Sequence, residues 1–193
     1  MPMTLMRTQG EPDTTVSDDA VMCRVQAGTV QALAVLFERH QKALLNYFLR
    51  LGSTRAVAED LVQETFIRIL QYRATYRPGS RFATWMYAIA RNARLNQLHK
   101  QRGETEWDDA YAPTLLPGDS AQAGQERALL ERALARLPED KREVLVLARY
   151  QELPYSDIAT LLGCAAQTVK VRVHRALNEL REHYMFLANR GGQ

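Results

Sequence analysis

Between Glu64 and Glu104 the chain carries no Asp or Glu. That interval holds Arg68, Arg73, Arg77, Arg81, Arg91, Arg94, Lys100 and Arg102, with Tyr72, Tyr76, Phe82, Trp85 and Tyr87 interleaved. Cations neutralise phosphates, and aromatic faces stack on unpaired bases, each stack contributing ~1–3 kcal/mol. Duplex DNA requires only the cations, so the mixture points to a single or melting strand. A second cluster lies near the C-terminus, where Lys170, Val171, His174, Arg175, Asn178 and Arg181 share one side of a helix and Val169, Val173 and Leu180 the other. A helix of this kind fits a major groove, with its N-terminal half at the base edges and its cations on phosphates. Val171 on the outward side suits a thymine methyl.

Covalent chemistry is not expected. His40, His99, His174 and His183 are scattered, and no nucleophile-base pair, Gly-rich phosphate loop or metal-ligand spacing occurs. The reading is therefore of a binding protein with no catalytic residue, metal, cofactor or small-molecule substrate. Cys23 and Cys164, the only cysteines, give no disulfide framework and suit a reducing cytoplasm. The first residues lack the apolar core of a secretory signal, and no apolar run is long enough to cross a membrane.

These residues require helices to position them. Charged residues make up 24% and hydrophobic residues 46% of the 193, which suits a soluble globular protein large enough for two small cores. From Asp18 onward the apolar spacing is helical and no sustained alternation marks a strand, so an all-α fold is expected. Ser17 or Asp18 caps a first helix ending near Gly28, and a second runs from about Thr29 to Leu51. Ser53 or Thr54 caps a third, from about Arg55 to Ala74. The "YRPGS" stretch, Tyr76 to Ser80, reads as a turn, with Ser80 placed to cap the helix that opens at Arg81. On that helix Phe82, Trp85, Met86, Ile89 and Ala93 form an inner face, which makes Trp85 a core residue. Tyr87, Arg91, Arg94 and Leu98 lie opposite, as an exposed basic strip.

Residues 102–124 read as an acidic flexible linker. Glu104, Glu106, Asp108, Asp109, Asp119 and Glu126 follow the basic run with no intervening Lys or Arg, and Pro113, Pro117 and Gly118 interrupt any helix. Trp107 and Tyr111 are unusual there and suggest docking. Helices resume over about 126–137 and 141–150. Tyr155–Leu162, the break at Gly163-Cys164 and Ala166–Tyr184 then form a helix-turn-helix.

Four blocks, "AEDLVQETFIRIL" (58–70), "YRPGSRFATWMYAIARN" (76–92), "LPEDKREVLVL" (137–147) and "YSDIATLLGCAAQTVKVRVHRA" (155–176), resemble in order and spacing those of the extracytoplasmic-function sigma factors of bacterial RNA polymerase. The resemblance spans about 19–185. It implies a tail over 1–18, a region 2-like domain over 19–101, the linker, a region 4-like helix-turn-helix domain over 125–187, and a tail over 188–193. Asp60, Leu61, Gln63, Glu64 and Arg68 would then bind the β′ clamp helices of the polymerase core. Tyr76, Arg77, Ser80, Arg81, Tyr87, Arg91, Asn92 and Arg94 would open the −10 promoter element and hold a flipped base. Lys170, Val171, Arg172, His174, Arg175 and Arg181 would read the −35 duplex, with the second domain also on the β flap. An anti-sigma factor is a candidate partner, because members of the family are often held inactive by one. Pro154, Ala165, Val171 and Ala148 depart from common family residues, so the −35 preference does not transfer.

A conventional helix-turn-helix regulator, independent of the polymerase, is the alternative. It explains the C-terminal half but neither the aromatic, acid-free helix nor "DLVQE".

Overall fold

The structure is a computed structural model that describes residues 16–104 and 121–190. Its regular elements are eight α-helices, with no strand among the described residues. They are α1 (Asp18–Gln26), α2 (Leu33–Arg50), α3 (Arg55–Gln71), α4 (Phe82–Glu104), α5 (Ala121–Ala135), α6 (Glu139–Arg149), α7 (Tyr155–Leu162) and α8 (Ala166–Arg190). Helices α1–α4 form one helical domain and α5–α8 a second.

Local chemistry explains the boundaries. The Ser17 hydroxyl accepts from the Ala20 N–H (3.3 Å), and the Thr54 hydroxyl accepts from the Val57 N–H (3.4 Å), so both cap helix starts. The third helix is shorter than its apolar spacing suggested. It stops at Gln71, and a single 3-10 turn over Arg73–Thr75 follows. Gly163 ends α7 in the left-handed region (φ +64°), where a side chain would be strained. Helix α8 runs six residues past the expected end at Tyr184, to Arg190. The 102–124 stretch is helical at both ends, since α4 reaches Glu104 and α5 opens at Ala121. Trp107 and Tyr111 lie outside the described residues.

One apolar cluster runs through both domains. Leu36, Leu44, Phe48, Ile69 and Met86 anchor it in the first, and Leu134, Leu145, Leu147, Ile158, Val169 and Val173 in the second; all are at most 1% exposed. Helix α2 packs on α5 and α6, and α4 packs on α7. The −10 and −35 candidate surfaces therefore belong to domains in direct contact.

Helix α1 is tied to α2 through Asp18, whose carboxylate accepts from Arg39 Nη1 (2.8 Å) and lies 2.7 Å from His40 Nε2. Burial pushes the Asp18 carboxyl up, but the hydrogen bonds from Arg39 and His40 and their charges outweigh it, leaving a net lowering. A depressed carboxylate stabilises the fold above its unfolded value, and this contribution is lost as the pH falls through the folded value. Asp18→Asn is expected to cost about 1 kcal/mol at pH 7, a figure discounted for partial exposure. In urea melts the gap to wild type should close below about pH 4. An equal gap at acid and neutral pH would show that Asp18 acts through packing alone.

Candidate nucleic-acid interface

The "YRPGS" turn is built from both ends. Burial raises the Tyr76 hydroxyl's pKa, as does the hydrogen bond it donates to Asp19. It therefore stays protonated and donates to Asp19 Oδ1 (2.7 Å) and the Ser80 carbonyl (2.8 Å). Asp19 also accepts from the Gly79 N–H (2.9 Å), and Gly79 adopts φ +82°, which glycine tolerates. Gln26 Nε2 donates to the Tyr76 carbonyl (3.0 Å). Two side chains of α1 thus hold the turn rigid. The Ser80 hydroxyl donates back to the Arg77 carbonyl (2.6 Å), closing the turn instead of capping α4 as the sequence suggested. Arg77 and Ser80 are exposed, whereas Tyr76 is 2% exposed and is a pillar of the turn, not an open contact. Trp85 is half-buried and meets the Tyr76 ring edge-on at 5.1 Å, in line with its expected packing role.

The strip on α4 is not the open surface its helical projection predicted. Tyr87 is 3% exposed; burial raises its hydroxyl's pKa, and that hydroxyl donates to Gln151 Oε1. Arg91 Nε donates to Glu143 Oε1 (3.1 Å), which also accepts from the Tyr47 hydroxyl (3.2 Å). Arg94 is 7% exposed and donates through Nη1 to Glu139 Oε1 (2.5 Å) and through Nη2 to the Leu51 carbonyl (2.8 Å). Arg81 Nε lies 3.1 Å from Asp157 Oδ2, an oxygen that also accepts from the Thr84 hydroxyl (2.7 Å). Carboxylates of the second domain supply the counter-charges that α4 lacks. A cationic face looks the same in sequence whether phosphate or a distant carboxylate will meet it. Asn92 remains exposed, about 15 Å along α4 from its first residue at 1.5 Å per residue. A strand touching both the turn and Asn92 therefore spans more than one nucleotide.

The outer face of α8 is open. Val169 and Val173 lock the inner face at 0% and 1% exposure, and Ala176 is fully buried beside them. Lys170, Arg172, His174, Arg175 and Arg181 are exposed, as is Val171 at 40%. Among the described residues Lys170, Arg172, Arg175 and Arg181 are seen in no ion pair; His174 Nε2 lies 3.3 Å from Asn178 Nδ2. Gln167 and Thr168, which the sequence reading passed over, are also exposed on the first turn of this helix. That position, rather than their charge, is the signal that finds them.

On α3, Asp60 and Gln63 are exposed, and Glu64 pairs with Arg68 at 2.6 Å. Leu61 is 4% exposed and belongs to the core, so it is removed from the partner-facing set. Ile67, which the sequence reading passed over, is 52% exposed one helical turn beyond Gln63.

The chain is similar to known proteins in sequence and fold. The family described as Sigma-70 region 2 matches residues 36–104, and that described as Sigma-70, region 4 matches 127–180. The RNA polymerase sigma factor CarQ of Myxococcus xanthus is 33% identical over 83% of this chain and 94% of its own. The ECF RNA polymerase sigma factor EcfG of Rhodopseudomonas palustris is 40% identical over 64% of this chain and 68% of its own. Among solved structures, the sigma factor RpoE in complex with the anti-sigma factor NepR, from Bartonella quintana, superposes with a TM-score of 0.66 at 29% identity. That match covers 76% of this chain and 92% of RpoE. With two helical domains in matching order and this degree of identity across nearly the whole of a relative, the chain belongs to the extracytoplasmic-function group of sigma-70 family RNA polymerase sigma factors.

Proposed function

We propose that this sigma factor docks on the polymerase core through α3, opens the −10 element with the "YRPGS" turn and α4, and reads the −35 duplex with α8. The observation that carries the reading is the outer face of α8. It is a row of exposed basic side chains around an exposed valine, on a helix whose inner face is buried at Val169, Val173 and Ala176. That arrangement suits phosphate contacts flanking base-edge readout. A conventional regulator would use the same helix but leaves the rigid turn, Asn92 and the α3 face without a task.

Roles follow from chemistry. The turn with Arg77 and Ser80 would receive the extruded base, whose unstacking costs a few kcal/mol and requires a pre-formed site. Asn92 offers a donor and an acceptor together and would read a neighbouring base edge. Arg81, Arg91 and Arg94 would hold phosphates. Asp60, Gln63, Glu64, Ile67 and Arg68 would face the β′ clamp helices, and the second domain the β flap. The domains follow as about 19–101 and 125–187. The protein performs no bond chemistry itself and works in the cytoplasm beside the polymerase. The NepR complex of the Bartonella relative supports an anti-sigma partner.

Two variants test the assignment in run-off transcription with core polymerase. Asn92→Ala should leave core binding intact and lower promoter opening by about tenfold or more, as loss of a base-reading amide costs ~1–3 kcal/mol. Lys170→Ala with Arg175→Ala should weaken −35 recognition by a similar factor and reduce its salt dependence. Wild-type transcription from both variants would refute the site assignment.

A further inference from the structure

Helix α1 opens with two carboxylates that serve different elements. Asp18 meets Arg39 and His40 of α2. Asp19, about 100° further round the helix, meets the "YRPGS" turn instead. One oxygen, Oδ1, accepts both from the Tyr76 hydroxyl (2.7 Å) and from the Gly79 N–H (2.9 Å). The same hydroxyl is bonded to the Ser80 carbonyl (2.8 Å). A single carboxylate oxygen therefore fixes the backbone at two consecutive residues, Gly79 directly and Ser80 through Tyr76. Among the described residues Asp19 is seen in no ion pair, so its side chain is committed to the turn. Arg77 and Ser80, the exposed side chains of that turn, stand on the backbone it holds.

We infer that Asp19 is a positioning residue for promoter opening, holding the turn in the shape that receives the extruded base without touching that base. The inference rests on the assignment of the turn to base capture. Tyr76 is packed edge-on against Phe82 and Trp85, so its ring stays in place whatever its hydroxyl meets. Without Asp19 the hydroxyl and the Gly79 N–H both lose an acceptor. Gly79, at φ +82°, has no side chain to restrict its backbone. The turn then samples several shapes, and the cost of ordering it moves to the moment of base capture. The sign of the effect separates this role from plain electrostatics. A carboxylate beside a DNA strand repels phosphates, so on charge alone its removal raises affinity. A positioning role predicts a loss. Both bonds end on one oxygen, so an asparagine oxygen at the same place can do the holding.

The test uses holoenzyme assembled from core polymerase and the full chain, as wild type, Asp19→Ala or Asp19→Asn. The probe is a fork oligonucleotide with a single-stranded −10 segment, taken from a promoter that the wild type transcribes. A matched series carries an abasic site at each −10 position in turn. Wild type should lose about tenfold in affinity at the position of the captured base, within the usual range for coupled groups. Asp19→Ala should bind the intact fork about tenfold more weakly and be indifferent to that abasic site, with core affinity unchanged. Asp19→Asn should stay within about threefold of wild type on every probe. An alanine variant that keeps the abasic discrimination, or binds the intact fork as tightly as wild type, overturns the positioning role. So does an asparagine variant as defective as the alanine one. If Asp19→Ala misfolds, Tyr76→Phe decides, since it keeps the packed ring and drops only the hydroxyl. It should weaken the abasic discrimination by about threefold, and full discrimination there overturns the inference. If the wild type is sensitive at no position, base capture by the turn fails, and the inference with it.

Discussion

Arg94→Ala should destabilise the folded protein by about 2–3 kcal/mol, the sum of a stranded buried carbonyl and lost side-chain packing. The carbonyl is that of Leu51, at the C-terminal end of α2, where helix geometry leaves acceptors without an internal partner. Leu51 is itself 2% exposed, so water cannot replace the Arg94 Nη2 donor readily. The pair with Glu139 contributes less, because Glu139 is 47% exposed and rehydrates when released. Arg94 Nε is buried with no hydrogen-bond partner, a cost already present in the wild type that the substitution removes. At about 2–4 °C per kcal/mol for a protein of this size, the melting midpoint should fall by roughly 5–10 °C. Arg91→Ala, at a partly exposed site, should lower it by much less. If Arg94→Ala melted like wild type, the bond to the Leu51 carbonyl would carry no stability and Arg94 would act through promoter DNA alone.

Ile67→Asp should lower affinity for the polymerase core by thirtyfold or more, about 2 kcal/mol or greater, while the melting curve stays within about 0.5 kcal/mol of wild type. The side chain is 52% exposed and contributes little to the core. Asp60, Gln63 and Ile67 fall at i, i+3 and i+7, along one face of α3. Glu64 and Arg68 flank this face as an ion pair. An apolar anchor ringed by polar groups is the usual form of a binding hot spot, and a carboxylate placed there must be desolvated on docking. Equilibrium binding to fluorescent core polymerase reads the effect. Unchanged affinity would move the docking surface off α3.

Much of the fold was legible because its signals are local. Ser17, Thr54 and Gly163 mark helix ends through bonds to residues three or four positions away, and the inner faces of α4 and α8 follow from helical spacing. The exposed basic face of α8 was legible for the same reason, since nothing in the fold covers it. The exposure of the basic strip on α4 was not. Tyr87 and Arg94 sit on the solvent side of α4 in any single-helix projection, and their burial depends on Gln151 and Glu139, 64 and 45 residues away. Tyr76 likewise answers to Asp19, 57 residues earlier. Such pairings leave no periodic trace. Leu61 shows the reverse error: the resemblance carries it into the partner-facing set, although it shares the helical spacing of Ala58, Val62, Phe66 and Ile69 and is buried with them.

The central claim is that this chain confers promoter specificity on RNA polymerase. The most direct test mixes it with core polymerase free of any sigma factor and a genomic fragment library, and maps the transcript starts. The account predicts discrete starts downstream of a shared pair of elements, lost with Ile67→Asp and weakened with Asn92→Ala. Absence of specific initiation across all salt concentrations would contradict it.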